Sequence, residues 1–360
     1  MTTEPVWDLL GIGFGPSNIA LAIAVAEHND NTGHRRLTAH FLEKKQHFGW
    51  HRGMLLDGAT MQVSFLKDLV TLRNPTSRFS FLAYLHDRGR LIDFVNHKCL
   101  YPSRIEFHDY LEWCARKLSR VVTYEQEVIS ARPIFVNGEV GQFEVVAHDL
   151  GTGRVARRQA RNLVVAPGLR PRLPPKVAAG RRIWHSSTFL DDLARLAVPA
   201  PRRFVVLGAG QSAAEVADHL YRRFPTAEVC AVLSRYGYSQ SDDSPLANRI
   251  FDPETVDVYY GAPEEIRASL LRYHANTNYS VVDVDLIMSI YERIYQEKVL
   301  GQPRFRLMNV SELADVTERA DGVSVTVRNL ATGRCATLEA DALVCATGYT
   351  ATEASDILGD

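Results

Sequence analysis

The chain has 360 residues, 46% of them hydrophobic, which is enough to bury two or three cores and too apolar for a disordered chain. Its 41 basic and 42 acidic residues leave a formal charge of −1, so no net field draws it to nucleic acid or to an anionic membrane. No apolar run reaches the ~18 residues of a membrane span, and Met1-Thr2-Thr3-Glu4-Pro5 lacks a basic leader. The five cysteines, Cys99, Cys114, Cys230, Cys335 and Cys345, include no C-x-x-C pair. A cytoplasmic protein with reduced thiols and small-molecule partners is expected, and a dithiol-relay reductase is disfavoured.

The first predicted strand, residues 6 to 12, runs into Gly11-Ile12-Gly13-Phe14-Gly15-Pro16-Ser17-Asn18 and an Ala-rich helix from about Ser17 to Glu27. A second strand, Leu37 to Glu43, completes a βαβ unit. Such a turn offers backbone N–H groups and the positive end of a helix to a pyrophosphate, with no Cβ in the way. Glu43 ends the second strand, further past the turn than the usual ~20 residues. There an acid accepts the ribose hydroxyls of an adenosine that carries no 2′-phosphate; an exposed strand-end glutamate is the plain alternative.

Residues 47 to 110 read as loop-rich, with Trp50, His51, Met61, Gln62, Lys67, Asn74, Pro75 and Arg104 among aromatics, followed by a helix from about Phe107 to Leu118. Alternation over Phe143 to His148, a turn at Gly151-Thr152-Gly153 and the strand Asn162 to Gly168 close the first unit, and Pro171, Pro174 and Pro175 mark a linker. The second unit opens at Arg203, with the turn Gly208-Ala209-Gly210-Gln211-Ser212-Ala213 after its first strand. Its second strand, Glu228 to Leu233, ends in Ser234-Arg235. A guanidinium at that place grips a 2′-phosphate bidentately, which favours NADPH over NADH.

From Tyr236 to Arg304 the βαβ rhythm stops, and the polar loop Ser239 to Pro245 leads into helical segments. Val323 to Val327 and the turn Ala331-Thr332-Gly333 read as a hairpin. The last strand, Ala342 to Ala346, runs into Thr347-Gly348-Tyr349 and repeats the pattern of Leu163 to Gly168. The expected fold is α/β, with two Rossmann-like dinucleotide-binding domains and an inserted, mainly helical substrate subdomain. Residues 1–170, completed by 335–360, would bind FAD; 171–235 and 301–334 would bind NADPH; 236–300 would form the helical insertion. With no redox cysteine pair beside it, a reduced flavin has dioxygen as its leading acceptor. A C(4a)-hydroperoxide kept from water would then oxygenate a neutral nucleophile. No metal site is expected.

Six blocks carry a family resemblance: Gly13 to Asn18, Met61 to Leu69, Gly208 to Glu215, Ser241 to Pro245, Thr277 to Val282 and Ala346 to Tyr349. The chain resembles the L-ornithine N(5)-monooxygenases, flavin-dependent N-hydroxylases of hydroxamate siderophore and peptide biosynthesis, with the lysine N(6)-hydroxylases as close kin. The resemblance implies that L-ornithine and O2 are the substrates and that NADP+ is retained after hydride transfer. It implies Lys67 on the substrate α-carboxylate, Asn248 on its α-groups, and Asn278 near the side-chain amine and the nicotinamide ribose. A fixed cation suits a carboxylate, and amides orient an amine without adding charge. Gln62, with Asn278, would act at the reacting centre; Met61, Trp50 and His51 would surround the flavin ring, and Arg104 would contact cofactor.

By the same resemblance Gly13, Gly15, Pro16, Ser17, Asn18, Glu43 and Lys44 would hold FAD, joined by Thr347 and Gly348. Gly208, Gly210, Gln211, Ser212 and Arg235 would hold NADPH. The amine must lose its proton to react, from a reference near ~10.4, so a desolvating site is expected. A homo-oligomer, a tetramer in the family, is implied. L-lysine or a diamine is the alternative substrate. Family members continue past the Ala-Thr-Gly-Tyr block, so a non-catalytic FAD- and NADPH-binding protein is the second alternative.

Overall fold

The computed structural model describes residues 5–31 and 33–358 and divides into two units, one running to Arg170 and resuming at Tyr349, the other spanning Pro171–Gly348. The first begins with β1 (Trp7–Ile12), α1 (Pro16–Asp30) and β2 (Ala39–Leu42). The stretch that reads as loop-rich contains two seven-residue helices, α2 (Phe81–Asp87) and α3 (Leu91–His97). Two turns are too short to display a 3.6-residue period. They are held instead by burial of Phe81, Tyr84, Leu85 and Phe94, and by Ser80 Oγ accepting from Ala83 N at 3.1 Å. Helix α4 (Arg104–Lys117) starts earlier than its apolar period suggests, because Ser103 Oγ accepts from Glu106 N and caps it. It buries Phe107, Tyr110, Leu111 and Cys114, the i, i+3, i+4, i+7 stripe of a core-facing helix.

The unit continues with β3 (Val122–Thr123), β4 (Gln126–Val136), β5 (Glu139–Asp149) and β6 (Val155–Val165). These make one six-stranded sheet in the order β3-β2-β1-β6-β5-β4. Strand β1 pairs in parallel with both β2 and β6, while β4, β5 and β6 form an antiparallel meander on the same sheet. Strands β1 and β2, paired on the parallel side, are mostly buried.

Strand β7 (Leu169–Pro171) spans the boundary, and the second unit then holds β8 (Ile183–His185), α5 (Phe189–Arg195), β9 (Arg203–Leu207), α6 (Gln211–Arg223) and β10 (Glu228–Val232). Helices α7 (Pro253–Gly261), α8 (Glu264–Tyr273) and α9 (Val284–Leu300) follow, then β11 (Phe305–Met308), β12 (Ser311–Glu318), β13 (Val323–Asn329), β14 (Cys335–Ala340) and β15 (Ala342–Cys345). Strands β11-β10-β9-β15-β8 form a parallel sheet, and β12-β13-β14 a small antiparallel one. The expected hairpin is β13 and β14, its turn fixed by Asn329 Oδ1 accepting from Ala331 N and Thr332 N. Beyond the crossing lie β16 (Tyr349–Ala351), which pairs with β7, and α10 (Ser355–Leu358), whose Leu358 packs on the Leu10 and Leu42 cluster of the first unit.

Two expected boundaries move. Residues 335–348 belong to the second unit and do not complete the first, because β15 inserts between β9 and β8. The insertion is also shorter than 236–300. Helix α9 packs on α6 as the crossover between β10 and β11, with Tyr221 Oη donating to Glu297 Oε1 at 2.8 Å and Glu297 Oε2 accepting from Arg304 N and Phe305 N. Among the described residues no helix is long and apolar enough to cross a membrane.

On β2, the His40 ring stacks on Trp7 at 5.0 Å and its Nε2 lies 2.9 Å from Thr123 Oγ1. Burial first, and the Arg158 guanidinium second, push it from 6.5 down to about 4. The unfolded chain therefore binds the extra proton through that window, so this contribution to stability is lost as pH falls from about 6.5 through about 4. Urea unfolding at pH 7 and pH 4.5 should show a smaller acid loss in His40→Gln than in the parent chain.

Candidate cofactor and substrate sites

In the first turn Gly13 has φ +85°, and a Cβ there would stand 2.3 Å from the Ala166 carbonyl oxygen at the end of β6. Its N–H donates to Leu42 O at 2.8 Å. Gly15, the residue before α1, is different: a Cβ would meet nothing within 4 Å. The protein's own packing dictates Gly13, whereas the space at Gly15 is open. Pro16 occupies the first helical turn, where it gives up no needed hydrogen bond, and Ser17 is exposed beside it.

Asn18 is buried, with Nδ2 donating to Ile12 O at 3.2 Å and Gly13 O at 2.6 Å. Its Oδ1 is buried with no hydrogen-bond partner. A cleared approach to a helix N-terminus and an orphaned acceptor beside it suit a dinucleotide, whose phosphates take N–H groups and whose hydroxyls donate. Glu43, expected on the ribose, is also a brace: Oε2 accepts from Phe14 N at 2.8 Å and Oε1 from Lys45 N at 2.9 Å. A carboxylate has about four acceptor positions, so these bonds orient it and leave capacity for hydroxyls. Lys44 is exposed next to it.

Trp50 and His51 meet edge to face at 4.7 Å, Trp50 reaches Phe107 at 6.1 Å, and His51 reaches Tyr349 at 6.2 Å. His51 has a left-handed backbone, φ +48°. His51 is exposed over part of its surface, yet the protein atoms packed around its ring, and after them the Arg104 and Lys45 cations, push its pKa down to about 4. Arg104, expected at the cofactor, also braces the backbone: Nη1 donates to Met54 O at 3.0 Å and Nη2 to Thr60 O at 3.4 Å. Arg104 N to Ala59 O, Met61 N to Pro102 O and the Thr60–Ser103 bridge complete the clamp. It holds the loop that carries Met61, half-buried, and Gln62, exposed.

Lys67 closes a one-turn helix, Phe65–Lys67, and is exposed. Its neighbour Asp68, not singled out by sequence reasoning, fixes the turn that follows. Oδ1 accepts from Val70 N at 2.9 Å and Thr71 N at 2.6 Å, and Oδ2 from Thr71 Oγ1 at 2.9 Å and Phe81 N at 2.7 Å. Tyr110 Oη, accepting from Leu69 N and donating to Phe79 O, secures the next step. An Asp followed three residues on by Thr is a legible Asx-turn signal; the tie to Phe81 is not.

In the second unit Gly208 repeats Gly13: φ is +142° and a Cβ would stand 2.4 Å from Ala346 O. Gly210 precedes α6, with Ser212 in the first turn. Gln211, expected under the phosphates, joins helix to loop, Nε2 donating to Glu215 Oε1 and Oε1 accepting from Asp283 N at 2.8 Å. Arg235 is exposed after β10, and its Nη1 donates to Ser280 O at 3.0 Å.

The Asn248 and Asn278 loops are stitched together. Ser241 N donates to Val282 O, Ser241 Oγ to Thr277 O, Asp242 N to Asn276 O and Val282 N to Ser239 O. Asn248 Nδ2 points back to Asp242 O and Ser244 O, and Asn278 is exposed. Thr347 and Gly348, expected at the flavin, fall in the second unit. Arg172 donates to both their carbonyls and His185 Nε2 lies 3.0 Å from Gly348 O, so their carbonyls secure the chain crossing. The structure thus gathers Gly13 to Asn18, Glu43, Trp50, His51, Met61, Gln62, Lys67 and Arg104 in one unit, and Gly208 to Ser212, Arg235, Asn248 and Asn278 in the other.

The profile of the L-lysine 6-monooxygenase/L-ornithine 5-monooxygenase family matches residues 5–351. An L-ornithine N(5)-monooxygenase from Burkholderia cepacia is 45% identical over 357 residues, covering 97% of this chain and 79% of the relative. An ornithine N-hydroxylase from Kutzneria sp. 744, solved with reduced FAD, NADP+ and L-ornithine, superposes with a TM-score of 0.93 at 43% identity, covering 99% of this chain and 84% of that one. The ornithine hydroxylase of Pseudomonas aeruginosa does so with 0.91 at 39%, covering 98% and 85%.

Two substitutions separate packing from ligand at the first turn. Gly13→Ala should lower the stability of FAD-stripped protein by about 1–3 kcal/mol through backbone strain. Gly15→Ala should cost under ~1 kcal/mol yet lose FAD on desalting, read by urea unfolding and by absorbance at the flavin band. Asp68→Ala removes a carboxylate that satisfies four donors. It should cost about 1–3 kcal/mol in unfolding free energy and raise the KM for the amino-acid substrate with little change in that for NADPH.

Proposed function

We infer that this chain, which belongs to the L-lysine 6-monooxygenase/L-ornithine 5-monooxygenase family, catalyses the NADPH- and FAD-dependent N-hydroxylation of the L-ornithine side-chain amine by O2. The product is N5-hydroxy-L-ornithine, a building block for hydroxamate siderophores or nonribosomal peptides. The observation that carries this reading is near full-length likeness, in sequence and in coordinates, to proteins named for that reaction. The cleared Gly15 approach and the orphaned Asn18 acceptor suit the flavin nucleotide on independent physical grounds.

Bound FAD would take the reducing equivalents of NADPH and activate O2 for transfer to the amine. The chain's own residues bind and orient. Lys67 pairs with the substrate α-carboxylate, and Asn248 takes its α-groups. Asn278 orients the side-chain amine, which must be neutral to react. His51, held neutral across the physiological range by crowding and by the Arg104 and Lys45 cations, adds no positive charge that would repel an approaching ammonium. Gln62 and Met61 stand on the clamped loop, Trp50 beside His51, and Arg235 takes the 2′-phosphate. NADP+ stays bound through the cycle. A cytoplasmic, homo-oligomeric enzyme, tetrameric by family resemblance, completes the reading; the five cysteines stand as free thiols, as a reducing compartment keeps them.

The test is product formation with FAD and NADPH from L-ornithine, L-lysine and putrescine. Hydroxylated amine should form from L-ornithine, and NADPH loss without N5-hydroxy-L-ornithine would end the reading. Lys67→Ala should raise the KM for ornithine about 10- to 100-fold, the worth of one charge-assisted pair.

A further inference from the structure

Ser280 has no part in the reading above, yet its backbone touches two elements of it. Two residues beyond Asn278, it has φ +56°, a left-handed conformation that a non-glycine residue keeps only when its surroundings hold it. Two contacts supply the hold. Arg235 Nη1 donates to the Ser280 carbonyl at 3.0 Å, and the phosphate turn lies against the residue, so that a Cβ on Gly210 would stand 3.3 Å from Ser280 Cα.

The flanks are pinned. On one side Asn278 N and Tyr279 N donate to Ala275 O, closing the short turn that presents Asn278. On the other, Val281 and Val282 are buried, Val282 bridges Gln240, and Asp283 N donates to Gln211 Oε1 before the Asp283 carboxylate caps α9. With both flanks fixed, the backbone angle at Ser280 sets the direction in which Asn278 is delivered.

We propose that Ser280 is a positioning residue for the hydroxylation: held left-handed by Arg235 and Gly210, it aims Asn278 and ties that asparagine to the phosphate-binding turn of the second unit. A guanidinium presents five donors in a planar fork. One is engaged by Ser280, and the nucleotide 2′-phosphate would draw on the others, so a single side chain serves both the nucleotide and the aim of Asn278. The proposal rests on the reading of Asn278 as the residue that orients the amine.

The experiment compares Ser280→Val, Ser280→Gly and Asn278→Ala as FAD-loaded full-length enzymes, scoring the KM for L-ornithine, the hydroxylated product formed per NADPH oxidised, and the melting temperature. Valine is β-branched and disfavours positive φ, so Ser280→Val should raise the ornithine KM at least fivefold and at least halve the product per NADPH. Ser280→Gly adopts the same backbone without strain and should restore parental values of both. Should the valine variant fail to fold, Ser280→Thr, branched but hydroxylated, carries the same expectation. Parental KM and product yield in the branched variant would overturn the proposal. So would a glycine variant as impaired as the branched one, since the effect would then belong to the hydroxymethyl group. If Asn278→Ala itself behaves as the parent, the underlying reading fails; if it is impaired while the branched variant is not, only the proposal fails.

Discussion

Both halves of the molecule depend on one close approach, that of a glycine to the carbonyl that ends the neighbouring parallel strand. Gly13 lies against Ala166 O and Gly208 against Ala346 O, each so tightly that a Cβ would fall within 2.4 Å of the oxygen. The approach lets a helix start directly at the sheet's carboxyl end, with its unsatisfied N–H groups turned toward whatever binds there. It also explains why β6 and β15 occupy equivalent places beside β1 and β9. Each is followed by a glycine of positive φ, Gly168 and Gly348, where the chain leaves the sheet.

Around this shared frame, several side chains expected to touch ligand also hold the protein in shape. Glu43 accepts from two backbone N–H groups, Arg104 donates to two carbonyls, and the Gln211 amide bridges α6 to the α9 cap. A site in which residues that bind are themselves fixed by backbone contacts is preorganised, and little order remains to be imposed when a ligand arrives. Asp68, next to Lys67, does this most completely: its four accepted hydrogen bonds tie the chain that follows Lys67 to Val70, Thr71 and Phe81.

The two-Rossmann architecture by itself assigns no chemistry, since one fold serves many reactions. Between β10 and α9 lie two loops joined to each other by backbone and Ser241 hydrogen bonds, and joined to the end of β10 through Arg235 and to the start of α6 through Gln211. The residues proposed for substrate and for nucleotide in the second unit are thereby parts of one connected element.

The sequence alone determined the local elements whose signals are local: two glycine turns after apolar strands, the contrast of Glu43 with Arg235 at the second-strand ends, the β13–β14 hairpin, and the motif blocks that carry the family resemblance. Those signals survive because strand periodicity, turn chemistry and helix capping act within about ten residues. Only the tertiary structure decided the rest. It gave β15 to the second sheet, made α9 a crossover helix, turned residues 81–97 into helices too short for their period to show, and assigned Arg104 to the Met54 and Thr60 carbonyls. Each of those outcomes is set by partners distant along the chain, and hydrogen-bond satisfaction and burial between such partners leave no periodic trace in the residues that make them.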